Sequence, residues 1–177
     1  MIIRILFIFC IIQSTFGQMQ DSIKKKHTFS QFELSVPLSI NPNRGKTEYD
    51  GQKQNFFIPD GISTKMGYGI HFNKWLLLSA HTGLDWKIKP KLVSVPLYGQ
   101  LSLAPLIGEE VRLLLQAGYG QSFALGRGKL SGNYYKFRLG IGSEELSIFI
   151  DASLYGFYVH QVPMGSFSIG VTVLNFD

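Results

Sequence analysis

Apolar and polar residues alternate along most of this chain. The pattern is clearest over residues 32–40, where Phe32, Leu34, Val36, Leu38 and Ile40 fall on one face and Glu33, Ser35, Pro37 and Ser39 on the other. A period of two is the signature of a β-strand with unlike faces. Comparable runs follow at residues 62–72, 76–88, 93–103, 111–123, 134–142, 146–160 and 166–176, giving eight expected strands. Helical spacing is nowhere sustained over a similar window. The connections are polar: a long one at residues 41–61, then 73–74, 89–91, 104–110, 124–132, 143–145 and 161–165. A two-residue turn at Glu144-Glu145 would set Arg138 directly opposite Asp151 across one hairpin.

The faces decide the environment. The apolar faces are too large and too uniform to fill an eight-stranded interior. The opposite faces carry Glu33, Lys65, His81, Asp85, Lys87, Arg112, Lys136, Arg138 and Asp151 among Gly and Ser. Small residues and mixed charges suit a narrow, self-neutralising lumen, and apolar-out with polar-in is the pattern of a transmembrane barrel. The expected fold class is therefore all-β, an eight-stranded antiparallel transmembrane β-barrel. A soluble lipocalin-like barrel is the alternative. Trp75 and Trp86 bracket the third strand, and Tyr119, Tyr135, Tyr158, Phe72 and Phe176 lie near strand ends, where interfacial girdles form.

Composition agrees. Charged residues are 16% of the 177-residue chain and aromatics 14%, the first well below the soluble norm and the second suited to strands rather than helices. The net charge of +5 is spread along the chain, so no nucleic-acid footprint is present. Residues 1–17 read as a signal peptide: Arg4, then an apolar run, then Thr15 and Gly17 before an expected cut at Gln18. The barrel then occupies 18–177. Cys10, the sole cysteine, lies in that leader without the small residue before it that lipidation needs. Disulfides and thiol chemistry are thereby excluded from the mature part.

Several short motifs carry a family resemblance. They are the start at Gln18, the hairpin Gly67-Tyr68-Gly69-Ile70-His71-Phe72 with Leu84-Asp85-Trp86, the segment Val95-Pro96-Leu97-Tyr98, and Ala117-Gly118-Tyr119-Gly120. The last run, residues 167–176, resembles the terminal signal read by barrel-assembly machinery. The chain resembles the small outer-membrane barrels of the OmpA and OmpX type and is similar to porin-like barrels of Bacteroidota. The resemblance implies the Gram-negative outer membrane as location. In that last run Phe167, Ile169, Val171 and Val173 share one face and Leu174 and Phe176 the other, so a bulge or a frayed end is expected.

Chemistry is sparse. No phosphate loop, nucleophile elbow or metal-ligating histidine pair occurs, and neither metal nor cofactor is expected. Ser79, His81 and Asp85 share one strand face, which admits a lipid acylase or deacylase as the second functional reading. A buried hydrogen-bonded cluster is the simpler account. A wide channel is not expected, because eight strands leave an interior that side chains fill. In the long connection, Tyr49, Phe56 and Phe57 lie among Arg44, Lys46 and Lys53, a mix suited to binding a lipid or protein partner or to packing on the rim. The expected role is a non-enzymatic structural or interaction component, or an accessory subunit of an outer-membrane assembly, contacting outer-membrane lipid or lipopolysaccharide.

Overall fold

A computed structural model describes residues 27–40, 56–126, 130–159 and 162–177. The expected leader at 1–17 and Tyr49 lie outside these residues. All regular structure among the described residues is strand: β1 Thr28–Ile40, β2 Phe57–Pro59, β3 Gly61–Phe72, β4 Leu76–Lys87, β5 Leu92–Leu103, β6 Arg112–Leu125, β7 Ser131–Gly142, β8 Leu146–Val159 and β9 Val162–Phe176. Each long strand pairs antiparallel with the next, and β1 pairs with β9 without interruption from Phe29↔Phe176 to Leu38↔Phe167. The sheet thus closes into a barrel of eight long strands, and closure removes every free edge.

The short β2 is the upper end of β3, offset by one residue. Leu38 pairs with Pro59 whereas Ser35 pairs with Ser63, so Asp60 marks a bulge. Its amide donates to the Pro37 carbonyl over 2.8 Å. A bulge at a barrel rim bends the strand and redirects the adjoining chain, here toward the first long connection.

Burial alternates with the sequence. In β8 every second residue is enclosed: Ser147, Phe149, Asp151, Ser153, Tyr155, Phe157 and Val159 point inward, while Leu146, Ile148, Ile150, Leu154 and Tyr158 lie outside. The other long strands repeat this, so the outside is a belt of Leu, Ile, Val, Phe and Met, and the inside is polar through its middle. Trp86 and Trp75 are both exposed near opposite ends of β4, and Phe72 and Tyr158 near the ends of β3 and β8. Tyr119 and Tyr135 are exposed but lie within β6 and β7, away from the strand ends expected for them. Phe176, also expected in a girdle, is partly enclosed and packs with Phe29.

Toward both ends of the barrel the code inverts. At the end holding the termini, Phe29, Leu77, Leu114 and Leu174 turn inward and form an apolar plug with Ala104, while Ser30 and Asn175 face out. At the opposite, loop end, Leu92, Tyr134, Tyr155, Phe157 and Val159 turn inward, and Ser131 and Asn133 face out. The last strand therefore needs neither the bulge nor the frayed end expected from its mixed phase. Its alternation is unbroken from Phe167 to Phe176 against β1, and Leu174 and Phe176 belong to the plug. A wall that is apolar outside only through its middle matches a hydrocarbon layer of finite thickness.

Candidate functional site

The inward face of β1 brings one carboxylate, Glu33, to the centre of the lumen, where two cations from β7 meet it. Lys136 Nζ and Arg138 Nη2 each lie 2.6 Å from Glu33 Oε2. Arg138 Nη2 also reaches Asp151 Oδ2 at 3.0 Å, and Lys136 Nζ lies 3.9 Å from the same oxygen. Register explains both contacts. Gly142 pairs with Ser147 and Arg138 with Asp151, which is the register of a two-residue turn at Glu144-Glu145. Glu33 approaches from across the barrel, 105 residues from Arg138 in sequence.

Two carboxylates and two cations make a balanced quartet. Neutral groups add further bonds: Gln31 Nε2 donates to Glu33 Oε1 over 2.9 Å, Arg138 Nη1 donates to Gln116 Oε1 over 3.1 Å, and Lys136 donates to the Tyr98 hydroxyl over 3.0 Å. Arg138 Nε has no hydrogen-bond partner among the described residues. The guanidinium also lies over the Phe149 ring, 3.4 Å from its centroid. Lys136 is 0% and Glu33 2% exposed. Charges this enclosed persist only when paired and hydrogen-bonded.

A second pair lies nearer the loop end. Lys65 Nζ contacts Asp85 Oδ1 at 2.6 Å, and Asp85 also accepts from Ser63 and, over 2.8 Å, from the Tyr155 hydroxyl. Lys87 closes this end, donating to the Gly165 carbonyl over 2.5 Å with its ammonium 4.4 Å from the Tyr155 ring centroid.

His81 sits between these groups. Its Nε2 is 2.8 Å from Ser79 Oγ, and its Nδ1 is 3.7 Å from Glu33 Oε1. Asp85, the third member of the sequence-level cluster, is committed to Lys65 instead, and Glu33 takes its place beside the ring. The imidazole stacks on Tyr98 at 5.1 Å and fills the space over Gly67, where an added Cβ would fall 2.3–2.5 Å from three ring atoms. Ser79, His81 and Glu33 are all buried, and the plugs stand between them and either mouth. Among the described residues no three His, Cys, Asp or Glu side chains converge as a metal would require.

Arg112 was expected in the charge network but lies apart from it, at the terminal end. Its Nη1 donates to the Lys74 carbonyl over 2.7 Å and the Ala104 carbonyl over 3.1 Å, and its Nη2 lies 3.7 Å from Glu144. Lys74 pairs with Glu144 directly. The Lys74 hydrogen bond and charge, with Arg112 beside it, hold the Glu144 carboxyl below its ordinary value. Since the folded value is lowered, the contact stabilises above pH 4.5 and is lost as pH falls through the folded value. Both partners are partly exposed, so the effect is small. Glu144→Gln is expected to flatten the acid limb of the stability–pH curve slightly and leave stability at pH 7 almost unchanged, as read by thermal melts.

At the loop end the two described aromatic residues of the first connection fold onto the rim. Phe56 meets Phe57 edge-on at 4.7 Å, and Phe57 stacks on Phe167 of β9 at 6.3 Å. Asp60 was missed in the sequence because it lies in a connection. It is buried, accepts from Ser39 Oγ over 2.5 Å and from the Lys89 amide over 2.8 Å, and so ties β1 to the β4–β5 turn.

A closed barrel of eight long antiparallel strands, apolar outside and packed with paired charges inside, is the fold of a small transmembrane β-barrel. The chain matches no protein-family model and no curated protein in sequence. Its structure is similar to that of Neisserial surface protein A, with a TM-score of 0.62 at 11% identity over 86% of this chain and 98% of that one. Two further barrels align with lower TM-scores. A de novo designed transmembrane β-barrel gives 0.42 at 12% identity, over 85% of this chain and 98% of that one. Ail, the attachment invasion locus protein of Yersinia pestis, gives 0.39 at 15% identity, over 83% and 96%.

Proposed function

We propose that the protein resides in the outer membrane of a Gram-negative cell, after removal of residues 1–17, as a non-enzymatic structural or interaction component. An accessory subunit of a larger outer-membrane assembly is one form of that role. The observation that carries this reading is the sealed lumen: a neutral charge quartet fills its middle, and apolar plugs close both ends. Nothing about such an interior favours ion passage, so the working surfaces are the two rims. An even number of long strands puts both termini on one side, the periplasmic one in this reading. The loop end then faces outward. There Lys89 and Lys91 are exposed just beyond the exposed Trp86 and Ile88, an arrangement suited to phosphate-bearing lipid headgroups such as those of lipopolysaccharide.

Purified protein reconstituted into planar bilayers is expected to give no stepwise conductance, and in native membranes it should resist extraction by salt or alkali. A stable single-channel current, or release without detergent, would overturn the reading. The Ser79–His81 contact keeps lipid modification as a second reading. Because that pair is enclosed, Ser79→Ala is expected to leave outer-membrane lipid composition unchanged; an altered acylation pattern would favour the enzyme.

A further inference from the structure

The three connections at the terminal end are unlike one another. Asn73 to Trp75 and Ser143 to Glu145 are tight turns, whereas β5 and β6 are separated by residues 104–111. Periplasmic turns of such barrels are short as a rule. This longer one is also ordered. Leu113 N donates to the Pro105 carbonyl over 3.0 Å and Ile107 N to the Val111 carbonyl over 2.6 Å, and Leu106 bridges to Arg112. Gly108, at φ 91°, makes the reversal, a backbone angle that L side chains rarely adopt. The base is clamped by Arg112 on the Ala104 and Lys74 carbonyls and by Ala104 N on the Trp75 carbonyl, over 2.6 Å.

The result is a hydrogen-bonded miniature hairpin beyond the ends of β5 and β6. It exposes Leu106 at 56% and Ile107 at 53%, residues beyond the end of β5. Glu109 and Glu110 follow at its tip and are exposed. Among the described residues the cations near this end are engaged, Lys74 with Glu144 and Arg112 with carbonyls and Glu144. An ordered, exposed apolar pair with none of the described residues over it marks a contact surface.

We infer that the hairpin at residues 104–111 is a docking peg for a periplasmic protein that presents an apolar recess rimmed by basic residues. A bilayer is the poorer occupant, because burying Leu106 and Ile107 there would carry Glu109 and Glu110 against lipid phosphates of like charge. The inference rests on the periplasmic placement of the terminal end.

The test uses the full chain with Ile107→Cys or, as a control in a neighbouring turn, Glu145→Cys. An impermeant maleimide should label position 107 only after permeabilisation; labelling on intact cells would sink the topology and the inference together. In phosphatidylethanolamine–phosphatidylglycerol vesicles a fluorophore at 107 should be quenched by iodide as fully as one at 145. In native outer membranes a benzophenone at 107, but not at 145, should give one defined protein adduct. That adduct should disappear with added salt or with Glu109→Lys and Glu110→Lys together. A probe shielded by lipid in the vesicles, no protein adduct, or an adduct indifferent to charge reversal would overturn the peg while leaving the topology standing.

Discussion

Glu33→Gln is expected to destabilise the barrel by about 3–5 kcal/mol, because it leaves two enclosed cations facing one carboxylate. Lys136 and Arg138 both lie 2.6 Å from Glu33 Oε2, and only Asp151 would remain to balance them. Asp151→Asn should cost less, since Arg138 keeps Glu33. Arg138→Met should resemble Glu33→Gln, leaving two carboxylates for one ammonium. The combination of Glu33→Gln with Arg138→Met restores balance between Lys136 and Asp151, so it should cost clearly less than the sum of the two singles. Denaturant unfolding in detergent micelles or bilayers reads all of these. Additivity across the cycle would mean that Glu33 and Arg138 do not meet, and the closure register that brings β1 across from β7 would have to be redrawn.

Ile150→Arg and Ser153→Leu, on opposite faces of β8, form the second test. Ile150 lies outside at mid-strand, so a charge there should cost about 2–4 kcal/mol near the bilayer midplane. Ser153 is enclosed, 3.0 Å from the Tyr134 hydroxyl. Leucine there overpacks the lumen and strips that hydroxyl of its partner, at about 1–3 kcal/mol. A soluble barrel of the opposite polarity would carry Ser153 on a wetted surface and take the leucine in silence. Two-sided damage is the mark of a wall with hydrocarbon outside and a packed polar interior; a neutral Ser153→Leu would reverse the assignment of faces.

The strands were legible because period-two alternation is local. Runs expected at 76–88 and 93–103 differ by one residue at one end from β4 at Leu76–Lys87 and β5 at Leu92–Leu103. The Arg138–Asp151 facing was legible for the same reason, since a short turn fixes the register on either side of it. Glu33 could be assigned to the interior but not to its partners, because those contacts depend on the closure of β1 on β9 and on the stagger of all eight long strands. The start of β1 was missed through the inverted code: Phe29 faces in and Ser30 out, so residues 28–31 contradict the alternation that identifies 32–40. Leu174 and Phe176 looked out of phase for the same reason. Arg112 was misplaced because an inward face says nothing about depth, and this guanidinium lies at the mouth among carbonyls.

The polar residues inside the wall have a consequence before any wall exists. A run of roughly twenty apolar residues lodges in a bilayer as a helix, so a chain bound for a more distant membrane has to cross the first one without stopping. In β8 the exterior residues Leu146, Ile148, Ile150 and Leu154 are separated by Ser147, Asp151 and Ser153. Converting those three to leucine would leave all fourteen residues of Leu146–Val159 without a charge, a serine or an amide. Such a strand would leave Lys136 and Arg138 short of a carboxylate, and its unfolded chain would come much closer to a segment that halts translocation. For the outer-membrane location proposed above, the interior charges therefore keep the nascent polypeptide exportable, and the quartet around Glu33 is how the finished barrel accommodates them.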